Sequence, residues 1–338
     1  YSEFVHQGTG MLITSILMAI AIILFYFRGA LNFYEKSKTI KMLAYVWIAQ
    51  NVFMILSTMY RNNVYVTEYG LTYKRIGVYV YLLLTCAGLI TTFIKIAKVK
   101  TNAYLFRVNG WIFYSVLIIA AFINWDRFIA EVNITKAKQV QTDYLLDLSY
   151  TVLPKLYTYH NHPLDANTFG YKTSGFALNN FNRRRDKQLY YFLLNHQQLS
   201  WKSWYYDENK TYKELIQDQR ITELDLASMN ITSVNPLGEL RNIEIFNLMG
   251  NFLYDTNELS SFRRLKQLNI CKNQLVNING LEYLGNLEML DIRQNKINDY
   301  SPLFKLKNLK TVYVDDKITE VQYQLLKNNL PTTTIIKS

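Results

Sequence analysis

The chain has 338 residues, 37 Lys and Arg against 26 Asp and Glu, a formal charge of +11 and only two cysteines. Cys86 and Cys271 lie in different kinds of segment, which excludes a disulfide framework. The charge is uneven: residues 1–124 hold 11 basic and 3 acidic groups, residues 125–220 hold 13 and 10, and residues 221–338 hold 13 and 13. A neutral C-terminal third counts against a nucleic-acid partner, and a basic excess beside apolar runs points to membrane lipid instead.

Residues 4–27, 42–60, 76–94 and 108–125 contain no Asp, Glu, Lys or Arg and are mostly apolar. At about 1.5 Å per helical residue each run is long enough for a hydrocarbon core of roughly 30 Å. The expectation is an α-helical transmembrane bundle of four spans over residues 1–125. A signal peptide is a poor reading of the first run, which has no basic residue before Arg28. The absent initiator Met is read as the mark of a longer protein. The connections after the first and third spans carry more Lys and Arg than the second, so they are expected in the cytoplasm. An even number of crossings then puts the C-terminal part of this multi-pass chain on the same side as Tyr1, outside.

Two features of these spans are candidate sites. Gln50, Ser57 and Arg61 share one helical stripe, with Asn51 and Thr58 beside it. The stripe reads as interhelical glue in preference to a polar path. The segment 61–75 is expected to be a loop in which Arg61, Tyr65, Tyr69 and Arg75 surround Gly70, a candidate site for an anion or lipid head group. Plain interfacial anchoring by Tyr and Arg competes with that reading.

Residues 126–220 read as a helical juxtamembrane domain. Ser149 is a candidate helix cap ahead of Pro154. Arg183, Arg184 and Arg185 are expected on a solvated or lipid-facing surface. His160 and His162 with Asp165 read as a polar turn and not as metal ligands. The stretches GTGMLITSILMAIAIILFYF, NWDRFIAEVNI, DYLLDLSYTVLPKL and the Arg61–Arg75 run with its YGLT core resemble the C-terminal half of an uncharacterised bacterial family of polytopic membrane proteins carrying a domain of unknown function. The resemblance covers about residues 1–215. It implies further spans upstream and no established activity.

From Ile221 the chain repeats every 22 residues. Leu265, Leu268, Ile270, Asn273, Leu275, Ile278, Leu281 and Leu284 recur as Leu287, Leu290, Ile292, Asn295, Ile297, Tyr300, Leu303 and Leu306. They recur upstream from Ile243 and, with Met229 in the Asn position, from Ile221. This is the spacing of a leucine-rich repeat, whose units stack into a solenoid with a short parallel sheet, and it resembles the repeats of internalin-like proteins. A fifth unit begins at Leu309. Residues 318–330 are expected to form a capping helix, followed by a strand over 332–336, within a repeat domain spanning 221–338.

Alternation along each strand sends Asp225, Asn247, Asn269, Asp291 and Tyr313 outward in one column, with Arg293 in the next and a soft patch at Met249 and Cys271. These polar columns are the candidate surface for a protein partner. There is no P-loop, G-x-S-x-G, H-E-x-x-H or Cys-x-x-Cys, so no enzyme activity and no cofactor is expected. The expected function is membrane display of a repeat domain for protein interaction. The competing reading is a transporter or sensor component regulated by that domain.

Overall fold

The computed structural model describes residues 38–160, 175–198 and 206–337, together with Thr14, Met18, Ile22 and Phe25, which are helical. Apart from those four positions, the expected first span lies outside the described residues, as do His162 and Asp165. The chain divides into two compact units, residues 1–140 and 141–338. The expected juxtamembrane domain is therefore parted near Val140.

In the first unit α1 spans Lys38–Tyr69, α2 Tyr73–Ala97, α3 Asn102–Ala121 and α4 Trp125–Lys136. The first three are long and apolar enough to cross a membrane. α1 and α2 share a core of Ala44, Ile48, Ile55, Leu82, Leu89 and Ile96. With Asn51, Thr58, Thr85 and Thr92, also buried, these positions step by 3 and 4 residues along each helix, a heptad-like seam. The seam's polar side chains bond the carbonyl one turn back: Asn51 to Trp47 (2.8 Å), Thr58 to Met54 (2.8 Å), Thr85 to Tyr81 (2.8 Å) and Thr92 to Gly88 (2.7 Å). Each therefore satisfies a donor within its own helix.

The expected loop over 61–75 is mostly helix. No Gly or Pro interrupts residues 61–69, and α1 runs on to Tyr69. Only Gly70, Leu71 and Thr72 turn the chain. Gly70 has φ +80°, and a Cβ there would meet the Asn133 carboxamide oxygen at 2.8 Å, so this turn requires glycine. Asn133 of α4 grips the turn like a strand partner. Its Nδ2 donates to the Leu71 carbonyl at 2.9 Å and its Oδ1 accepts the Leu71 N–H. Lys138 N–H and Gln139 N–H reach the Thr67 and Glu68 carbonyls at 2.9 and 3.1 Å, capping α1.

The second unit opens with α5 (Thr142–Leu146), a 3-10 turn (Tyr150–Val152), α6 (Leu153–His160), α7 (Gly175–Gln198) and α8 (Tyr206–Gln217). The solenoid follows: β1 Glu223–Asp225, β2 Ile245–Asn247, β3 Gln267–Asn269, β4 Met289–Asp291, β5 Thr311–Val314 and β6 Thr334–Lys337. The six strands form one parallel sheet in sequence order. Registers such as Leu224↔Phe246, Leu268↔Leu290 and Leu290↔Val312 repeat the 22-residue spacing. The last pair, Thr311↔Thr334, is one residue longer, because the helix α9 (Glu320–Asn329) replaces the 3-10 segment of earlier repeats. α9 begins with a capping box between Thr319 and Gln322. The inward Leu224, Phe246, Leu268, Leu290 and Val312 are all buried.

Opposite the sheet lie 3-10 segments at Asn235–Leu237, Asn257–Ser261, Asn279–Tyr283 and Ser301–Lys305. Each is entered through a side-chain oxygen 22 residues from the last: Ser233, Asp255, Asn277 and Asp299 accept the N–H of Asn235, Asn257, Asn279 and Ser301. Gly280 lets two such segments touch. A Cβ at Gly280 would lie 1.8 Å from the Thr256 carbonyl oxygen.

Candidate interaction face of the repeat unit

The outward column is built as expected, in register across β1 to β5: Asp225, Asn247, Asn269, Asp291, Tyr313. Its chemistry is partly committed to the fold. Asp225, Asn247, Asn269 and Asp291 each accept the N–H two residues on, at 3.2, 3.2, 3.1 and 3.2 Å. That self-bond turns the chain out of the strand. Asn247 also donates to Asp225 at 3.0 Å.

At the C-terminal end the face is built differently. Arg293 makes a two-pronged pair with Asp291, Nε to Oδ1 at 2.9 Å and Nη2 to Oδ2 at 2.6 Å. Its guanidinium carbon lies 5.1 Å from the centre of the Tyr313 ring. The Arg293 side chain is still 31% exposed, so it is both held and presented. Donating to the Asp291 carboxylate raises its pKa above the ordinary arginine value. The soft patch is smaller than expected. Met249 is half-buried, but Cys271 is buried, and burial, followed by the charge of Asp291, pushes its thiol pKa up.

At the N-terminal end α7 covers the free edge of β1. Asp186 accepts the Asp225 N–H at 2.8 Å, Arg183 donates to the Ala227 carbonyl, and Tyr190 donates to the Ser233 carbonyl at 3.0 Å. α7 thus supplies hydrogen bonds that a preceding strand would give. Asp186 is itself fixed by the Tyr157 hydroxyl at 2.7 Å and by Arg185, whose Nε and Nη2 lie 3.0 and 2.8 Å away. Arg185 stacks over Tyr157 at 4.0 Å. All three are buried. Burial and the Asp186 carboxylate hold the Tyr157 pKa well above its ordinary value. Arg184 pairs with Asp143 and Asp147 at 2.6 and 3.3 Å. Of the arginine run expected on a solvated or lipid-facing surface, Arg185 is buried inside the unit, whereas Arg183 and Arg184 are half-buried. Sequence reading missed it, because a carboxylate following three arginines does not announce its distant partners.

The asparagine ladder ties the repeats together. Asn251 accepts from the N–H groups of Met229 and Ile231 and donates to the Leu226 and Leu248 carbonyls, all at 2.9–3.0 Å. Asn273 and Asn295 repeat the pattern on Leu253 and Leu275. At the last rung Asp315 takes over, accepting the Gln294 N–H at 2.8 and 2.9 Å.

In the first unit, Tyr65, Tyr69 and Arg75 come together and Arg61 does not. Tyr65 and Tyr69 rings lie 4.7 Å apart and Arg75 sits 4.3 Å over Tyr65. Arg75 donates to the Tyr69 carbonyl at 3.1 Å and to that of Gly70, so it caps α1. Arg61 is exposed. Gln50 is exposed and Ser57 half-buried. The packed polar positions are their neighbours Asn51 and Thr58. Among the described residues no group of three or more His, Cys, Asp or Glu is arranged to hold a metal.

Residues 1–159 match the model of a protein family described as a domain of unknown function, DUF4153. No curated protein shows a significant match. The chain is similar to internalin C2 of Listeria monocytogenes, with 32% identity over 37% of this chain and 55% of that one and a TM-score of 0.33. It is similar to internalin F of the same organism, with 27% identity over 37% and 35% and a TM-score of 0.31. A leucine-rich repeat protein of Leptospira interrogans shares 17% identity over 36% and 38%, with a TM-score of 0.28. The chain thus spans 55% or less of the length of each of these proteins. Its leucine-rich repeat architecture rests on its own 22-residue strand register and asparagine ladder.

Proposed function

We propose that the apolar helices hold this chain in a bacterial inner membrane and that its repeat unit binds a protein through the C-terminal half of the concave face. The observation that carries the reading is Arg293, clamped by Asp291, stacked near Tyr313 and still presented to solvent. Arg and Tyr held in one geometry are the residue types that dominate binding energy at interfaces. Arg293→Ala with Tyr313→Ala tests it, because this pair leaves the Asp291 turn bond in place. In the full chain, cross-linking in native membranes should lose a partner that the parent recovers, with an affinity drop of about 30-fold or more. Lys307→Glu, on the opposite side, should change nothing. A folded double variant that still recovers every partner of the parent ends the reading.

The loop charges support an outward-facing repeat unit. A cysteine at Lys307 should then react with an impermeant thiol reagent in intact cells from which the outer membrane barrier has been removed. The anion or head-group site at Arg61, Tyr65, Tyr69 and Arg75 is weakened by the use of Arg75 as a helix cap. A transporter or sensor component draws its support from Lys95, 2% exposed in the apolar unit and hydrogen-bonded to Asn102. Buried ionisable groups in such helices mark substrate or ion pathways.

A further inference from the structure

Away from the concave strands, the turns leading into β2 and β3 enclose a hollow of about 690 Å³ lined by Gly238, Arg241, Asn242, Ser260, Ser261, Arg263 and Arg264. Three arginines line it and no acid does. The nearby carboxylates are engaged elsewhere. Glu239 lies beside the Tyr212 hydroxyl, Glu244 pairs with Lys266 at 2.7 Å, and Glu258 accepts from Ser233, Val234 and Asn235. Arg264 donates to the Asn242 carboxamide oxygen at 2.8 Å, which leaves the Asn242 amide nitrogen as a further donor.

Elsewhere on the solenoid several basic groups are neutralised in place: Lys266 by Glu244, Lys305 by Glu282, Lys310 by Glu288 and Arg293 by Asp291. Arg241 and Arg263 depart from that. Among the described residues neither guanidinium has a hydrogen bond, ion pair or ring contact. They occupy the same position in successive repeats, and the next repeat has Gly285 there. The cluster is therefore confined to one pair of repeats and is not a property of the solenoid as a whole. Guanidinium forks fit tetrahedral oxyanions, offering paired N–H donors and a charge that does not titrate.

We propose that this hollow binds a phosphate group, either free phosphate or the head group of an anionic lipid. It is separate from the protein-binding face proposed above and does not depend on it. The test uses the full chain held in phosphatidylcholine nanodiscs, with two probes: inorganic phosphate by equilibrium titration, and vesicles of phosphatidylcholine with or without phosphatidylglycerol by capture. Arg241→Gln with Arg263→Gln should weaken binding of the phosphate-bearing probe about tenfold or more. Lys296→Gln with Lys307→Gln, which removes the same charge elsewhere, should leave it unchanged. Ser261→Asp, which adds a negative charge at the rim and keeps both arginines, should weaken it as well. Saturable binding of inorganic phosphate identifies the free anion as ligand. Capture of phosphatidylglycerol vesicles alone identifies the lipid head group. The proposal is overturned if the parent binds neither probe, or if the lysine pair and the arginine pair lose binding equally.

Discussion

In the apolar helical unit, seam side chains such as Asn51 and Thr58 bond a carbonyl four residues back in their own helix. In the repeat unit, the ladder asparagines bond the backbone of the preceding repeat, 20 to 25 residues away. The first arrangement is satisfied before the helices meet. The second exists only once the repeats have stacked. Damage to a seam residue should therefore stay local, whereas damage to the ladder should loosen two repeats together.

Glycine substitutions should separate the two units most. Gly280→Ala drives a Cβ into the Thr256 carbonyl at 1.8 Å, and backbone cannot yield as a flexible side chain does. The expected cost exceeds about 4 kcal/mol, enough to unfold the repeat unit. Gly77 and Gly88 in α2 have nothing within 4 Å of a Cβ, and alanine there should be neutral within the chain or stabilising by about 0.5–1 kcal/mol. Thermal unfolding of the full chain, followed by circular dichroism, checks both. A parent-like melt for Gly280→Ala would mean that the two 3-10 segments do not touch in this way.

Asn251→Ala comes next. It strands two N–H groups and two carbonyls at a residue only 2% exposed. A loss of about 2–4 kcal/mol is expected, since each buried orphan costs about 1–3 kcal/mol and some will find water. Thr58→Ala removes a hydroxyl and its own bond together, so about 0.6 kcal/mol is the scale. Equal denaturation midpoints for the two variants would erase the distinction between the units.

Much of the repeat unit was legible beforehand. Leu265, Leu268, Ile270 and Asn273 recur at a fixed spacing, and the inward positions, the ladder and the column from Asp225 to Tyr313 emerged where the period put them. The soft patch was overestimated because Cys271 lies deeper than strand alternation implies. In the helical unit three long apolar helices were legible from composition, but the seam was not. Gln50 and Asn51 are adjacent polar residues, and only the packing of α2 decides which one faces in.

A smaller effect sharpens the contrast through pH. Tyr157 has a folded pKa above its unfolded value of about 10. The stability tied to its protonated form is complete below that pH and is lost as pH rises through the folded value. The melting temperature of the parent should fall steeply above about pH 10. Tyr157→Phe should start lower, because the Asp186 hydrogen bond is gone, and should fall less steeply over the same range. Parallel curves for parent and variant would remove Tyr157 from the account.

The smallest effect is expected at Lys272. It sits at φ 57°, at the periodic position that Gly250 occupies with φ 70°. Left-handed backbone costs a side chain about 1–2 kcal/mol and glycine returns about 0.5–1 kcal/mol in unfolded-state entropy. Lys272→Gly should raise stability by up to about 1 kcal/mol. A measurable loss in urea would show that the lysine side chain contributes more than its backbone costs.

The sequence by itself determined the parallel sheet, its register and its core, because a 22-residue period converts directly into in-register strands: each residue faces its own counterpart one repeat on. It also marked four apolar runs long enough for a bilayer, and three long apolar helices stand among the described residues. Only the tertiary structure decided where the aperiodic polar groups went. Asn133 clamps Leu71 across 62 residues, and Asp186 joins Tyr157, Arg185 and the edge of β1 across as many as 39. Such bonds leave no spacing in the chain. They form because a buried donor or acceptor must find a partner, and which partner is near is settled by packing.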